Sequence, residues 1–137
     1  MNLIYLPFYY GEYKMKIEDV LNLDCTKEEN MKQINRFLWK VKPVEKLLEK
    51  NNYTKTEQAP IELLEQALHG IMIRYGYRTQ NIDTYIEEGR FVFYMSSVIK
   101  KSDSSEWIGN IYGKTLWEVV AKTIIKIYAD IKKEKSK

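Results

Sequence analysis

The chain has 137 residues, of which 45% are hydrophobic and 30% are charged. This length and composition fit one folded domain with a packed core and exclude an intrinsically disordered chain. The 22 Lys and Arg residues against 19 Asp and Glu residues give a formal net charge of +3. That balance argues against a basic nucleic-acid-binding arm and against an acidic mimic of DNA.

Cysteine usage and hydropathy indicate the compartment. Cys25 is the only cysteine, so no intrachain disulfide can form, which favours a reducing environment. The apolar start Met1–Tyr10 lacks the charged region and the cleavage pattern of a signal peptide. No apolar run approaches the ~20 residues that cross a bilayer. We therefore predict a cytoplasmic protein without a membrane partner.

The first residues differ from the rest of the chain. Residues 1–14 carry an aromatic cluster without a clean period, and Met15 precedes a sequence typical of a domain start. One interpretation is that residues 1–14 are an N-terminal extension ahead of an alternative start at Met15. The sequence equally allows an extended segment packed on the core.

Residues 15–59 predict a helical N-terminal region. Thr26 and Glu29 have the spacing of a capping box. In this motif the Thr26 hydroxyl accepts from the Glu29 backbone amide, and the Glu29 carboxylate accepts from the Thr26 backbone amide. Pro43 is placed at the first turn of a further helix, where its missing N–H costs nothing. The polar stretch Asn51–Ala59 is the best linker candidate.

Residues 60–137 predict an α-β-β-β-α core. Pro60 opens the first helix, and Gly76 can adopt the left-handed conformation that ends it. Strands are predicted over Ile82–Glu87, Arg90–Lys100 and Glu106–Tyr112, and a long amphipathic helix over Thr115–Lys133, with Thr115 as its N-cap. The predicted fold class is α+β: N-terminal helices, then a three-stranded antiparallel sheet packed on two helices.

The predicted hairpin turn is Glu88-Gly89, and its register places Ile86 opposite Phe91 and Thr84 opposite Phe93. Both helices are then expected on the face of Phe91 and Phe93. The other face would carry Tyr85, Tyr94 and Tyr112. Because the stripes of the N-terminal helices must be buried, we expect these helices to cover that face. The alternative is a binding surface anchored by exposed tyrosines.

The order α-β-β-β-α over Pro60–Asp130 resembles the double-stranded-RNA-binding domain. The similar segments are Pro60–Leu64, which opens the first helix, and Gly109–Thr115, which leads into Val120–Lys122. The resemblance implies RNA contacts from the first helix, from a histidine-bearing loop between the first two strands, and from lysines at the start of the second helix.

This sequence departs from that pattern at the residues that would contact RNA. The corresponding loop is only Glu88-Gly89, without a histidine. Lys114 is present, but Leu116 and Trp117 stand where further charges belong. Because phosphate neutralisation dominates nucleic-acid affinity, the departures weaken the functional side of the resemblance.

A second resemblance is carried by Met15–Leu23 and by Ile111–Lys122, in which a Gly-x-Thr-Leu segment leads into an amphipathic helix. These motifs resemble small phage and mobile-element accessory proteins of the alpha-beta-alpha sandwich type, anti-CRISPR proteins among them. The resemblance implies a protein that binds and blocks a component of a host defence system.

The residues for chemistry are sparse. His69 is the only histidine and falls on the solvent side of its helix, without a second ligand for zinc. No serine or cysteine stands in a nucleophile motif, and Glu87 and Glu88 are weak as an acid–base pair because they lie in a turn. The Gly-Lys-Thr at residues 113–115 does not have Walker spacing. We predict no catalytic set, no cofactor and no metal site.

We therefore predict a non-enzymatic binding protein whose partner is a host protein or ribonucleoprotein complex. The expected contact residues are Tyr85, Arg90, Tyr94, Tyr112 and Lys114. Nucleic-acid binding through the RNA-binding-like half is the main alternative, and a homodimer also stays open. A small ligand held in a cleft between sheet and helices is a third interpretation.

Overall fold

The computed structural model describes residues 16–80, 82–101 and 105–135. The predicted extension over residues 1–14 and the predicted start at Met15 lie outside these residues. In the described ranges the chain folds as helices α1 to α5 and strands β1 to β4, which confirms the α+β class. The helices are Ile17–Leu21, Glu28–Leu38, Lys42–Lys50, Ile61–Tyr75 and Leu116–Lys135, and the strands are Tyr77–Thr79, Asp83–Glu87, Arg90–Lys100 and Glu106–Gly113.

Several helix ends follow from single residues. Pro43 occupies the first turn of α3, and Gly76, with φ of 76°, ends α4 in the left-handed conformation. The Glu118 amide donates to the Thr115 hydroxyl at 3.1 Å, which confirms the predicted cap of α5. The predicted capping box at Thr26 is wrong. The Thr26 hydroxyl donates to Asp24 at 2.6 Å instead, so α2 begins without a side-chain cap.

Strand β3 is the centre of a four-stranded antiparallel sheet. It pairs with β4 on one side, while β1 and β2 share its other side end to end. Strand β1 pairs with Val98–Lys100, and β2 pairs with Arg90–Met95. The sheet therefore has one strand more than the three predicted, because the short β1 continues the line of β2.

The hairpin of β2 and β3 turns at the predicted residues. Glu88 and Gly89 have φ of 51° and 74°, the two positive values of a type I′ turn. Ile86 lies opposite Phe91 as predicted. A bulge then inserts Val92, so that Phe93 lies opposite Tyr85 and the predicted Thr84 pairing is wrong.

Helices α4 and α5 pack on the sheet, and the other three helices pack on these two. Helix α5 contacts β3 and β4 and is flanked by α1, α2 and α4, while α3 packs on α4. The sheet residues beneath this layer are the buried Ser96, Val98 and Ile111. The expectation that Phe93 faces the helices is therefore wrong, since the Val92 bulge shifts the alternation by one residue.

The expected cover of the second sheet face by the N-terminal helices is also wrong. Helices α1 and α2 bury their apolar stripes against α5 and leave Tyr85 and Tyr112 exposed, although α1 borders a groove that Phe93 and Tyr112 also line. With neighbours on several sides, α5 is buried around much of its circumference, including the polar Glu118, Lys122 and Thr123.

The polar segment Asn51–Ala59 is bound to the helices on both sides of it. The Asn35 amide donates to the Glu57 carbonyl and accepts from the Ala59 amide, both at 2.9 Å. The Trp117 indole donates to the Ala59 carbonyl at 2.7 Å. One continuous core therefore includes residues from both predicted regions, 15–59 and 60–137. None of the helices in the described ranges has the length and apolar character needed to cross a membrane.

Candidate binding face of the sheet

The side of the sheet opposite the helices forms the candidate site, and we call it the open face. Cross-strand partners in an antiparallel pair project to the same side, so the register assigns its members. The open face consists of Arg78, Asp83, Tyr85, Glu87, Arg90, Phe93, Met95, Ser97, Ile99, Trp107, Asn110 and Tyr112.

Three rings cross the open face from β2 to β4, and we call them the aromatic ladder. The Tyr85 and Phe93 rings stack with centroids 4.5 Å apart, and Phe93 meets Tyr112 edge-on at 5.5 Å. Tyr85 is 42% exposed and Tyr112 51% exposed. Rings that are exposed yet held by their neighbours lose little conformational entropy on binding, which makes them good contact anchors.

A polar cluster continues the aromatic ladder along β4. The Ser97 hydroxyl donates to Asn110 Oδ1 at 2.6 Å, and the Trp107 indole N–H donates to the same oxygen at 3.3 Å. Asn110 Nδ2 in turn donates to the Tyr112 hydroxyl at 3.3 Å. These bonds orient the Trp107 ring, which is 63% exposed, on the same surface as Tyr112.

The open face has a balanced charge. In the described strands its charged members are the cations Arg78 and Arg90 and the carboxylates Asp83 and Glu87, all exposed. The adjoining turn adds Glu88. Neutralising a nucleic-acid backbone needs several cations arranged along it, and this surface does not provide such a row.

The predicted contact residues divide into two groups. Tyr85 and Tyr112 lie together on the open face, and Arg90 is exposed beside the hairpin turn. Tyr94 lies on the helix side, where its ring meets Phe91 at 4.6 Å and packs against the core. The expectation that Tyr94 shares a face with Tyr85 is wrong for the same reason as above, the bulge at Val92. Lys114 follows β4 and pairs with Asp24 at 3.3 Å.

Other members of the open face were not predicted from the sequence. Phe93 was assigned to the helix side, and Trp107 and Asn110 had no predicted role. A second bulge at Ile108 pairs Trp107 with Ile99 and so brings it to the open face beside Asn110. Bulges leave no reliable trace in an apolar and polar alternation, so only the three-dimensional register reveals this surface.

A groove of about 660 Å³ runs between β4 and the segment that joins α1 to α2. Its lining includes a buried ion pair in which Lys122 Nζ lies 2.6 Å from Glu118 Oε2. Lys122 also donates to the Leu23 carbonyl at 2.5 Å, and Glu118 accepts from the Lys114 amide at 3.2 Å. Both charged groups therefore have partners within the chain. The bond from Lys122 to the Leu23 carbonyl joins the segment before α2 to α5.

Cys25 is a free, partly buried cysteine beside this ion pair. Burial, followed by the nearby Glu118 carboxylate, raises the pKa of the Cys25 thiol to about 12. Since the thiolate is the nucleophile, we expect iodoacetamide to alkylate native Cys25 at pH 8 at least tenfold more slowly than in urea-unfolded protein. Mass spectrometry of timed samples measures both rates. Equal rates would contradict the assigned burial.

The same pKa shift has a consequence for stability. The unfolded thiol ionises near its ordinary pKa of 9.0, while the folded thiol stays protonated until about pH 12. The unfolded state therefore loses this proton first, and the contribution of Cys25 to folding stability falls as the pH rises above about 9.

In the described part of the chain, no group of three His, Cys, Asp or Glu side chains is placed to hold a metal ion. His69 is exposed on α4, as the sequence predicts.

Comparisons with protein-family models, with curated protein sequences and with solved structures found no match. The two resemblances drawn from the sequence therefore stay predictions.

Proposed function

We propose that this chain is a binding protein that captures another protein through the open face and blocks it, without catalysing a reaction. The observation that carries the proposal is the aromatic ladder of Tyr85, Phe93 and Tyr112, which is exposed and internally packed. Tyrosine and tryptophan are enriched among the residues that contribute most to protein interfaces, because one ring combines a large apolar area with a polar group.

Charge supports a protein partner over a nucleic acid. The open face carries two cations, Arg78 and Arg90, and two carboxylates, Asp83 and Glu87. At the start of α5, where the RNA-binding family carries lysines, Leu116 is exposed, Trp117 is buried and Lys114 pairs with Asp24. A nearly neutral aromatic surface suits desolvation against a protein, whereas phosphate binding requires a surplus of positive charge.

The resemblance to phage and mobile-element accessory proteins suggests which partner to test first. A small protein that blocks a defence complex needs a rigid surface and no active site. We propose a host defence protein or ribonucleoprotein complex as the target, with inhibition of a CRISPR–Cas complex as the sharpest form of the proposal.

This function is tested by phage plaquing on bacteria whose CRISPR–Cas complex targets the phage. We expect the wild-type chain to restore plaquing and the double variant Tyr85→Ala/Tyr112→Ala to lose this effect. Each truncated anchor is expected to weaken binding by about 2 kcal/mol, or about 30-fold. Ile73→Ala is the matched control, because Ile73 is 72% exposed but lies on helix α4 and is not part of the open face.

Two results would count against the proposal. If the wild-type chain protects no phage on hosts with representative CRISPR–Cas types, the defence target is wrong. If the double variant protects as well as the wild type, the open face is not the contact surface. Gel-shift titration with duplex RNA and DNA at low salt tests the alternative, and a retarded band that fades as salt rises would favour nucleic-acid binding.

A further inference from the structure

We propose that a second copy of this chain docks on the open face, related to the first by a two-fold axis. The axis lies between the two facing sheets, passes over Ser97 of β3 and runs parallel to the hydrogen bonds between strands. The inference goes beyond the proposed function, because self-association needs no host partner. It follows from how the members of the open face are spaced along β3.

Two charged members of the open face, Arg78 and Asp83, lie symmetrically about Ser97 on the same side of β3. Arg78 pairs with Ile99, two residues beyond Ser97, and Asp83 pairs with Met95, two residues before it. Rotation about this axis reverses the direction of β3. It leaves the β1 and β2 side of one copy over the β1 and β2 side of the other, and β4 over β4. Arg78 of one copy therefore faces Asp83 of the other, and the contact occurs twice.

The aromatic residues on the β4 side have the same symmetry. Trp107 pairs with Ile99, and Tyr112 pairs with Met95. The same axis therefore brings Trp107 of each copy over Tyr112 of the other. Both rings are more than half exposed, so both have surface to bury. Aromatic pairs contribute beyond their buried area when their rings can stack or meet edge-on.

Ser97 and Asn110 lie nearest the axis and meet their own equivalents. Asn110 Oδ1 already accepts from Ser97 and Trp107, but Asn110 Nδ2 carries a second hydrogen and the Ser97 hydroxyl oxygen can accept it from the other copy. Around Ser97 the surface combines a cation, a carboxylate, two kinds of aromatic ring and a central amide, and it is thus complementary to itself. A surface of one charge sign would not be.

The size of the face sets the strength of the dimer. Strands lie about 4.8 Å apart and rise about 3.4 Å per residue, so three strands over six residues cover roughly 14 Å by 20 Å. Two such faces have a projected area of roughly 560 Å² in total, below the roughly 1,200 Å² at which standard specific interfaces begin. We therefore expect a weak, reversible monomer–dimer equilibrium between the micromolar and the millimolar range.

The dimer would also regulate the proposed partner site. Tyr112 lies under the second copy, whereas Tyr85 and Phe93 lie towards the hairpin end, at the edge of the overlap. A protein partner that needs the whole aromatic ladder must displace the second copy. Dilution would then favour partner binding.

The test is sedimentation velocity of the purified chain alone, over concentrations from low micromolar to millimolar. We expect the wild type to pass from monomer to dimer. Arg78→Asp places two carboxylates together at both contacts, and Asp83→Arg places two cations together, so each should weaken the dimer at least about tenfold. The double variant Arg78→Asp/Asp83→Arg restores opposite charges and should restore the dimer.

Controls separate this geometry from a general effect of charge. Lys46→Asp makes the same charge change as Arg78→Asp on the exposed side of α3 and should leave the dimer intact. Trp107→Glu should abolish the dimer, whereas Ile73→Glu should not. A wild type that stays monomeric throughout overturns the proposal. A dimer that ignores Trp107→Glu, or that the double charge reversal fails to rescue, overturns it as well.

Discussion

Lys122→Met is expected to lower the free energy of unfolding by about 3–5 kcal/mol. Lys122 and its partner Glu118 are both buried, with side chains 4% and 5% exposed. Removing the ammonium leaves the Glu118 carboxylate in a low-dielectric interior without its counter-charge, and it also removes the donor to the Leu23 carbonyl. The cost is that of an uncompensated charge. Urea titration followed by circular dichroism measures it.

The chain supplies a matched control in another helix. Glu28 and Lys32 in α2 have the same order and the same four-residue spacing, at 3.3 Å, but their side chains are 76% and 55% exposed. Lys32→Met should therefore change stability by less than about 1 kcal/mol, since water already screens this pair. Adding Glu118→Gln to Lys122→Met removes the buried charge and should recover part of the loss. Similar effects of Lys122→Met and Lys32→Met would contradict the burial of the first pair.

Asn35→Leu is expected to cost about 2–3 kcal/mol although the side chains have similar volumes. Asn35 is buried in α2 and joins the backbone of the segment before α4, accepting from the Ala59 amide and donating to the Glu57 carbonyl. Leucine leaves the buried Ala59 N–H without a partner. It also loosens the carbonyl that receives the Trp117 indole. Chemical denaturation gives the change in stability, and hydrogen exchange at Ala59 reports the freed amide.

Asn51→Leu provides the comparison for Asn35→Leu. Asn51 also donates to a backbone carbonyl, that of Leu47 at 2.7 Å, but this bond is exposed at the end of α3. Water can replace it, so the change should stay within about 0.5 kcal/mol. If both substitutions cost the same, the Asn35 bonds do not hold the segment, and residues 51–59 behave as the linker that their composition indicates.

Helix ends and strand positions followed from local chemistry in the sequence. Pro43, Gly76 and Thr115 act through their own backbone or hydroxyl group, and each marks the predicted end of a helix. The turn at Glu88-Gly89 follows equally from the conformational freedom of two residues. Such signals are readable because the residue and its effect are neighbours in the chain.

The side chains that share a face of the sheet were not predictable, because the assignment depends on the positions of the β-bulges. One bulge residue, Val92, exchanged the positions expected for Phe93 and Tyr94, and another, Ile108, carried Trp107 to the open face. The placement of the N-terminal helices was missed for a related reason. An apolar stripe shows that a helix face is buried but does not identify the surface it packs on, and α5 rather than the sheet was that surface for α1 and α2.

The Val92 bulge also suggests how this surface could diversify. On the hairpin tip, Ile86 is 65% exposed and Phe91 46% exposed, and both project away from the side that carries Tyr85. Deleting Val92 would leave Tyr85 opposite Phe93 and Ile86 opposite Phe91, so both faces of the hairpin would keep their side chains. The deletion would remove the local bend and the extra twist that a bulge adds to a strand. A single-codon deletion would therefore change the direction in which the hairpin tip projects without altering the core.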